Sequence, residues 1–356
     1  MDIKNFRATI IEPGGRGGVF QHAIALASHL ANQGVSVSIH TANDLEISHI
    51  QLVKICRCFR WNARDAKFGK KSQFLFSFLF FTIPHLIWSS RNSIVNIQGL
   101  FRYNLYLVYF CLLKAVGRKV IFTPHNLFIR YKSTPVRRIA LNFTLQKSDA
   151  VTVFNKRDKA LGIMMNSNSY QVPLLQYLPT ISSEKEVWWK TKLMTQKPKL
   201  MLMGQIRKDK GVLEAIKIAY ELNGRYELFI IGEDKGTLSE GEKLAKELQV
   251  KVNWIAEYLP LDDFVACLIQ ADLLIFPYEI ASQSGVMSIA NSLGVPSLAF
   301  PVGGLVEYAT YLAKECTVMS MTDAINSIAS RGYIFREPIS SASETWLQVF
   351  EGLRQS

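Results

Sequence analysis

A strand, a glycine-rich turn, a helix and a second strand follow one another twice in this chain, and that order admits few folds. In the first half, an apolar run at residues 8–11 leads into Pro13-Gly14-Gly15-Arg16-Gly17-Gly18. A helical pattern from about 19 to 32, closed by Gly34, and a strand at 35–40 come next. In the second half, residues 200–203 lead into Gly204-Gln205-Ile206-Arg207-Lys208-Asp209-Lys210-Gly211 and a helical pattern from about 212 to 223. This is the unit of a parallel, doubly wound sheet, because a parallel neighbour is reached only through a crossover. Further strands are expected at 93–98, 119–123 and 150–154, and at 227–231, 251–255, 273–276 and 297–300.

The pattern breaks where Pro173 and Pro179 flank a short extended piece and residues 182–196 turn polar around Trp188 and Trp189. A chain of 356 residues exceeds one ordinary core. We therefore expect a Rossmann-like domain at 1–180 and a second Rossmann-like domain at 181–336. The end of the chain, 337–356, is expected to carry a helix at about 341–352 that can pack back on the first domain. Two such α/β domains would face a cleft, since these sheets bind ligands beyond the carboxyl ends of their strands.

Charge separates the halves. Residues 1–180 hold 23 Lys/Arg against 7 Asp/Glu, a net of +16, while the remainder holds 18 against 22, a net of −4. The basic half suits an anionic partner: nucleic acid, acidic lipid or a phosphorylated substrate. No nucleic-acid-binding motif accompanies the charge, which argues against the first. Residues 74–88, FLFSFLFFTIPHLIW, are too short to span a bilayer and contain Pro84 and His85. Arg57, Arg60, Arg64, Lys67, Lys70 and Lys71 precede them. The pair of features fits either an interfacial membrane contact or a buried helix after a solvated basic loop. The polar start, residues 1–7, has no signal-peptide pattern, so a cytoplasmic protein, peripheral on the inner face of the membrane, is expected.

Metal chemistry is not expected. Cys56 and Cys58 lie two apart, which is not the usual zinc spacing, and the five cysteines read as reduced thiols. All six histidines lie at or before residue 125, and no D-x-D, H-E-x-x-H or G-x-S-x-G occurs. No cofactor is implied.

Five constellations remain. Gly14–Gly18, including Gly17 and Gly18, is either a ligand loop at a helix N-terminus or a tight turn. In the 204–211 turn, Arg207 and Lys210 suit the oxygens of a diphosphate, the first bidentately and the second as a point charge. Ser282-Gln283-Ser284-Gly285-Val286 opens a helix, where amides and the dipole favour phosphate and Ser284 can cap. Pro301-Val302-Gly303-Gly304 is followed by Glu307, which either bonds sugar hydroxyls or caps a helix. Thr123-Pro124-His125-Asn126 places a histidine at a strand end in the basic half.

Taken in order, these motifs resemble the GT-B glycosyltransferases, in particular the family 4-like group that builds bacterial polysaccharides. Gly14–Gly18 looks like the first-domain glycine loop, and TPHN like the segment whose histidine lies near the donor sugar. GQIRKDKG is similar to the G-R-x-x-x-x-K-G diphosphate motif, with Lys210 at its lysine, and SQSGVMSIANSLGVPSLAFPVGGLVE to the donor-binding tail. The resemblance implies a hexosyltransferase using a UDP-, GDP- or other NDP-sugar, with His125, Arg207 and Lys210 catalytic. Gly17, Gly18, Ser284, Gly285, Val286 and Glu307 would bind the donor, and the acceptor would be a lipid-linked sugar or oligosaccharide. Two positions depart from the pattern. Gln205 replaces the motif arginine, and the glutamates that normally touch sugar and ribose fall near Ala281 and Ile289. The departures leave two other readings: a catalytically silent subunit partnering an active transferase, and a nucleotide-sugar epimerase.

Overall fold

The computed structural model describes residues 6–59, 75–99, 103–125, 127, 134–331 and 345–355. It divides into two compact units, Met1–Tyr177 with Ser341–Ser356, and Leu178–Ser340.

The first unit holds seven strands: β1 (Arg7–Ile11), β2 (Ser36–Ala42), β3 (Val53–Phe59), β4 (Ser93–Gln98), β5 (Val120–Thr123), β6 (Ala150–Val153) and β7 (Ser169–Gln171). Their order is β3-β2-β1-β4-β5-β6-β7, and the pairings are parallel. The sheet is covered on both faces because its strands are apolar in both registers. Ala8 and Ile10 join one buried cluster, with the helix Gly17–Asn32, and Ile11 joins the other, with the helix Tyr103–Ala115. The helix Trp346–Gln355 belongs to this unit. Trp346 is fully buried against Phe154 and His22 and donates its indole N–H to the Pro173 carbonyl at 3.0 Å. Four of its side chains, Trp346, Val349, Phe350 and Leu353, are buried, each contributing about 1.5–3 kcal/mol.

The second unit holds β8 (Lys199–Met203), β9 (Glu227–Ile231), β10 (Val252–Ile255), β11 (Leu273–Phe276), β12 (Ser297–Ala299) and β13 (Tyr311–Leu312), all parallel in the order β10-β9-β8-β11-β12-β13. Chain order reverses at β1/β4 in one sheet and at β8/β11 in the other, so each has its ligand crevice at that point.

The structure adds elements that the pattern did not predict. β3, β7 and β13 are extra strands. The polar stretch after the break forms a helix, Ser183–Lys192, capped by Ser182. Its Trp189 is buried, with Nε1 donating to Asp263 at 2.9 Å, while Lys185 bridges Asp262 and Asp263.

Candidate active site

Three of the predicted constellations meet at the carboxyl ends of β8, β11 and β12. The turn after β8 is a 3-10 turn, Lys208–Lys210, ending at Gly211. Gly211 has φ +69°, and a Cβ there would lie 1.9 Å from the Pro277 carbonyl oxygen, so only glycine lets this turn lie on the segment after β11. The Glu279 amide donates to the Asp209 carbonyl at 3.2 Å, a second tie between these segments. Gly303, φ +53°, packs in the same way on the Ala281 carbonyl, where a Cβ would sit 1.7 Å away. The Gly304 amide donates to the Ser282 carbonyl at 3.1 Å.

Lys210 stands at the centre of this arrangement. Its Nζ lies 3.8 Å from the centroid of the Tyr278 ring, a cation–π contact. Tyr278 is buried and its hydroxyl bonds the side chain of Ser284. Ser284 in turn accepts from the Met287 amide at 3.3 Å and caps the helix Gly285–Ser292. Lysine, aromatic ring, capping serine and helix N-terminus thus form one continuous unit. Burial lowers the Lys210 pKa to about 8, with the neighbouring Asp209 opposing and Arg207 adding to that shift. Burial raises the Tyr278 pKa to about 12, so it stays a phenol.

Arg207 is placed differently. It is exposed and forms a bidentate pair with Asp209, Nε to one carboxylate oxygen and Nη2 to the other, the latter at 2.7 Å. Nη1 also reaches Gln205 at 3.4 Å. The Asp209 hydrogen bond raises its pKa. Its guanidinium fork is therefore already engaged. Glu307 lies partly exposed on the short helix Leu305–Tyr308, where its amide donates to Gly304. Gly285 and Val286 open the helix behind Ser284. Ala281 and Ile289 are buried, 4% and 3% exposed, so both stand-ins for the missing glutamates are interior side chains.

In the first domain the glycine loop follows β1, but three of its amides donate to the chain's own acidic side chains. Gly14 and Gly15 donate to Glu12 at 3.0 and 2.8 Å, and Gly17 donates to Glu46 at 2.9 Å. Arg16 pairs with Asp44. Gly17 and Gly18 border open space. Glu12 is fully buried, and desolvation raises its pKa to about 7 against the opposing bonds from Gly15, Gly14 and Thr41.

His125 lies just beyond β5, buried, with a left-handed backbone of φ +45° that is unusual for a side chain of its size. Its Nε2 meets Gln98 Oε1 at 2.6 Å. Gln98 Nε2 donates to Asn96 Oδ1, which makes Oε1 the acceptor and His125 Nε2 the donor. Asn96 continues to Thr123 at 2.9 Å and Thr123 to Thr152 at 2.7 Å, a buried polar chain across β4, β5 and β6. His22 packs edge-on to His125 with centroids 5.4 Å apart. Its Nδ1 donates to the Leu175 carbonyl at 2.9 Å, and burial lowers its pKa to about 4. Asn126 lies outside the described residues.

The sequence reading missed Glu12, Glu46, His22 and Tyr278. Only Glu12 left a signal: an acid at a strand end immediately before a run of glycine amides.

Residues 197–331, which contain all three second-domain loops, match the family model for glycosyl transferases group 1. The second domain is a glycosyltransferase group 1 domain. No curated protein sequence matches the chain. Among solved structures it is similar to sucrose-phosphate synthase from Thermosynechococcus elongatus, at 16% identity over 99% of this chain and 98% of that one, with a TM-score of 0.73. It is similar to HepE from Anabaena in complex with UDP and glucose, at 12% identity over 99% of each chain, TM-score 0.71. It is also similar to WaaG, a glycosyltransferase involved in lipopolysaccharide biosynthesis, at 15% identity over 91% and 90%, TM-score 0.60. At these identities the likeness establishes the fold, and that fold is GT-B. The two crevices of this GT-B chain are unequal: one is closed by its own acids, the other presents a lysine.

Proposed function

We propose that this GT-B glycosyltransferase moves a sugar from a UDP- or GDP-linked donor to a lipid-linked or oligosaccharide acceptor, with protein cations rather than a metal ion on the departing diphosphate. The observation that carries this reading is Lys210, partly desolvated over Tyr278 beside the capped N-terminus of Gly285–Ser292. A partly desolvated ammonium that is not in a salt bridge gains most from an arriving anion, and the helix N-terminus adds amide donors and a favourable dipole. Negative charge grows on the diphosphate as the glycosidic bond breaks, so a cation fixed there stabilises the transition state more than the ground state. HepE's complexes with UDP and UDP-glucose are of the donor class proposed here. Glu307 serves the sugar hydroxyls. Within the first domain, His125 and the open side of Gly17–Gly18 are the groups assigned to the acceptor.

The acceptor reading rests on the first domain's charge and on one exposed face. Phe76, Phe80 and Trp88 are 57%, 62% and 77% exposed, while Phe78, Ile83 and Leu86 on the other side are buried. Such a face fits the interfacial region of an anionic membrane on the cytoplasmic side. Arg57 is exposed, and Arg60, Arg64, Lys67, Lys70 and Lys71 lie outside the described residues. No helix among the described residues is long and apolar enough to cross a membrane.

The test is a thermal-shift screen against UDP, GDP, ADP and CMP and their sugars, with and without EDTA, followed by turnover on an acceptor panel. Stabilisation by one diphosphate that survives EDTA and is lost in Lys210→Ala supports the metal-free donor site. The buried Ala281 and Ile289 favour one second reading, a silent subunit, which predicts nucleotide binding with no turnover on any acceptor. Turnover of donor with no acceptor present would point instead to an epimerase.

A further inference from the structure

We propose that His40, Cys58 and His85 form a zinc-type metal site at the edge of the first domain's sheet. The three residues are 18 and 27 positions apart in sequence, so no linear motif announces them. The topology brings them together: His40 is on β2, Cys58 on the neighbouring edge strand β3, and His85 on the helix Ile83–Ser89. One ligand atom from each lies within 4.8 Å of the other two.

The separation of Cys58 and His40 suits a metal, and His85 stands within a small movement of them. Tetrahedral zinc with a sulfur at about 2.3 Å and a nitrogen at about 2.0–2.1 Å puts those ligands about 3.5 Å apart. Cys58 Sγ and His40 Nδ1 are 3.6 Å apart. Two hydroxyls, Ser89 Oγ and Ser38 Oγ, lie within reach of His40 Nε2, at 3.3 and 3.4 Å. Ser89 Oγ donates to the His85 carbonyl at 2.6 Å, which leaves its lone pairs to accept from His40 Nε2 at 3.3 Å. With the proton on Nε2, His40 Nδ1 carries the bare lone pair facing the sulfur. Metal-ligating histidines are oriented by a partner on the second nitrogen in just this way. Thr82 Oγ1 donates to the Cys58 carbonyl at 2.8 Å and pins the start of the helix that carries His85 to the strand that carries Cys58. His40 is fully buried and His85 is exposed, so solvent reaches the third ligand and can supply a fourth. One thiolate and two imidazoles, with no carboxylate among them, select zinc and its borderline-soft neighbours over magnesium or calcium. Bound there, the ion would tie the edge strand β3 to the helix beside it.

The competing account is a thiol–imidazole hydrogen bond that binds no ion. The full-length protein, stripped with chelator, is titrated with cobalt(II) and then with zinc(II). The site predicts a one-equivalent thiolate-to-cobalt absorption band in the near ultraviolet that zinc displaces, and a zinc-dependent rise in Tm. Both should persist in Cys111→Ala, whose thiol is exposed elsewhere. The band should vanish in Cys58→Ser, and cobalt affinity should fall by at least about tenfold in His85→Ala. His85 is exposed, so that variant keeps the test sound even if Cys58→Ser misfolds. Absence of the band in the wild type, or wild-type affinity in His85→Ala, overturns the proposal.

Discussion

The turns after β1 and after β8 occupy the same place in two sheets of the same topology, yet their electrostatics are opposite. After β1, the glycine amides donate to Glu12 and Glu46, and Arg16 is held by Asp44. After β8, Lys210 rests on a neutral ring and Arg207 alone is paired. A glycine turn at a helix start is an anion site by geometry. In the first domain the chain fills that geometry with its own carboxylates, and in the second it leaves a cation facing the crevice. Shared topology therefore does not assign the anion; the side chains around the turn do.

The largest break in this comparison is expected at Lys210. Lys210→Ala should lower kcat by roughly 10²–10³-fold, the scale seen when one preorganised charge-stabilising group is removed. Donor affinity in the wild type should also weaken as pH rises through about 8, because Lys210 loses its proton there. Steady-state kinetics and nucleotide titrations between pH 6.5 and 9.5 check both. Equal activity in Lys210→Ala and wild type would remove the distinction between the two turns.

Backbone constraint separates them next. Gly211→Ala must accept a left-handed backbone and a Cβ on the Pro277 carbonyl, a loss of about 2–5 kcal/mol. Gly17→Ala has the same backbone problem, at φ +74°, but nothing within 4 Å, so about 1–2 kcal/mol is expected. Denaturant unfolding of the two variants measures the difference.

Glu12 gives the comparison a pH axis. Its pKa rises from the usual 4.5 to about 7, so between those values the folded chain keeps a proton that the unfolded chain has released. That contribution to stability is complete below pH 4.5 and is lost as pH rises through 7, about 3 kcal/mol in all. His22 and His40, lowered to about 4 and about 3 by burial, act the other way, adding stability as pH rises towards 6.5. The net curve mixes these, so the informative quantity is the difference from Glu12→Gln. The variant should gain on the wild type steadily from pH 4.5 to 7; a constant difference would mean that Glu12 releases its proton in the folded chain just as it does in the unfolded one.

Much of this architecture was legible because its central strands are apolar on both faces. β4, β9 and β11 begin and end at the expected residues: LLIF of β11 and LFII of β9 are unbroken apolar runs, and the polar residues of β4, Ser93, Asn96 and Gln98, are buried with its apolar ones. β3 was not legible: VKICRCF carries Lys54 and Arg57, which an edge strand tolerates and a central strand does not. The helix Ser183–Lys192 was hidden because its stability comes from Trp189 and Lys185 bonding Asp263, about 75 residues away, rather than from its own periodicity. The site divides similarly. Lys210 and Ser284 were readable from local turn and cap chemistry, whereas Tyr278 acquires its role only when the fold lays it under Lys210. The closed state of the first glycine loop depends on Glu46, a contact across 29 residues that no local pattern encodes.

The smallest effect is expected at Arg207, and it sharpens the comparison from the other side. Arg207 and Lys210 were both assigned to the diphosphate, yet among the described residues Lys210 rests on the Tyr278 ring rather than in a salt bridge, while Arg207 must give up its bidentate bond to Asp209 to reach a phosphate. The pair is exposed, so its loss costs little, and the net gain on exchanging one anion for another is correspondingly small. Arg207→Ala should therefore reduce kcat/KM by only about threefold to tenfold, mostly through KM. Asp209→Asn, which releases the guanidinium while leaving it in place, should tighten donor binding. If Arg207→Ala instead matched Lys210→Ala, the guanidinium would have to leave Asp209 on binding, and the second turn, like the first, would be held by an internal carboxylate until the donor arrives.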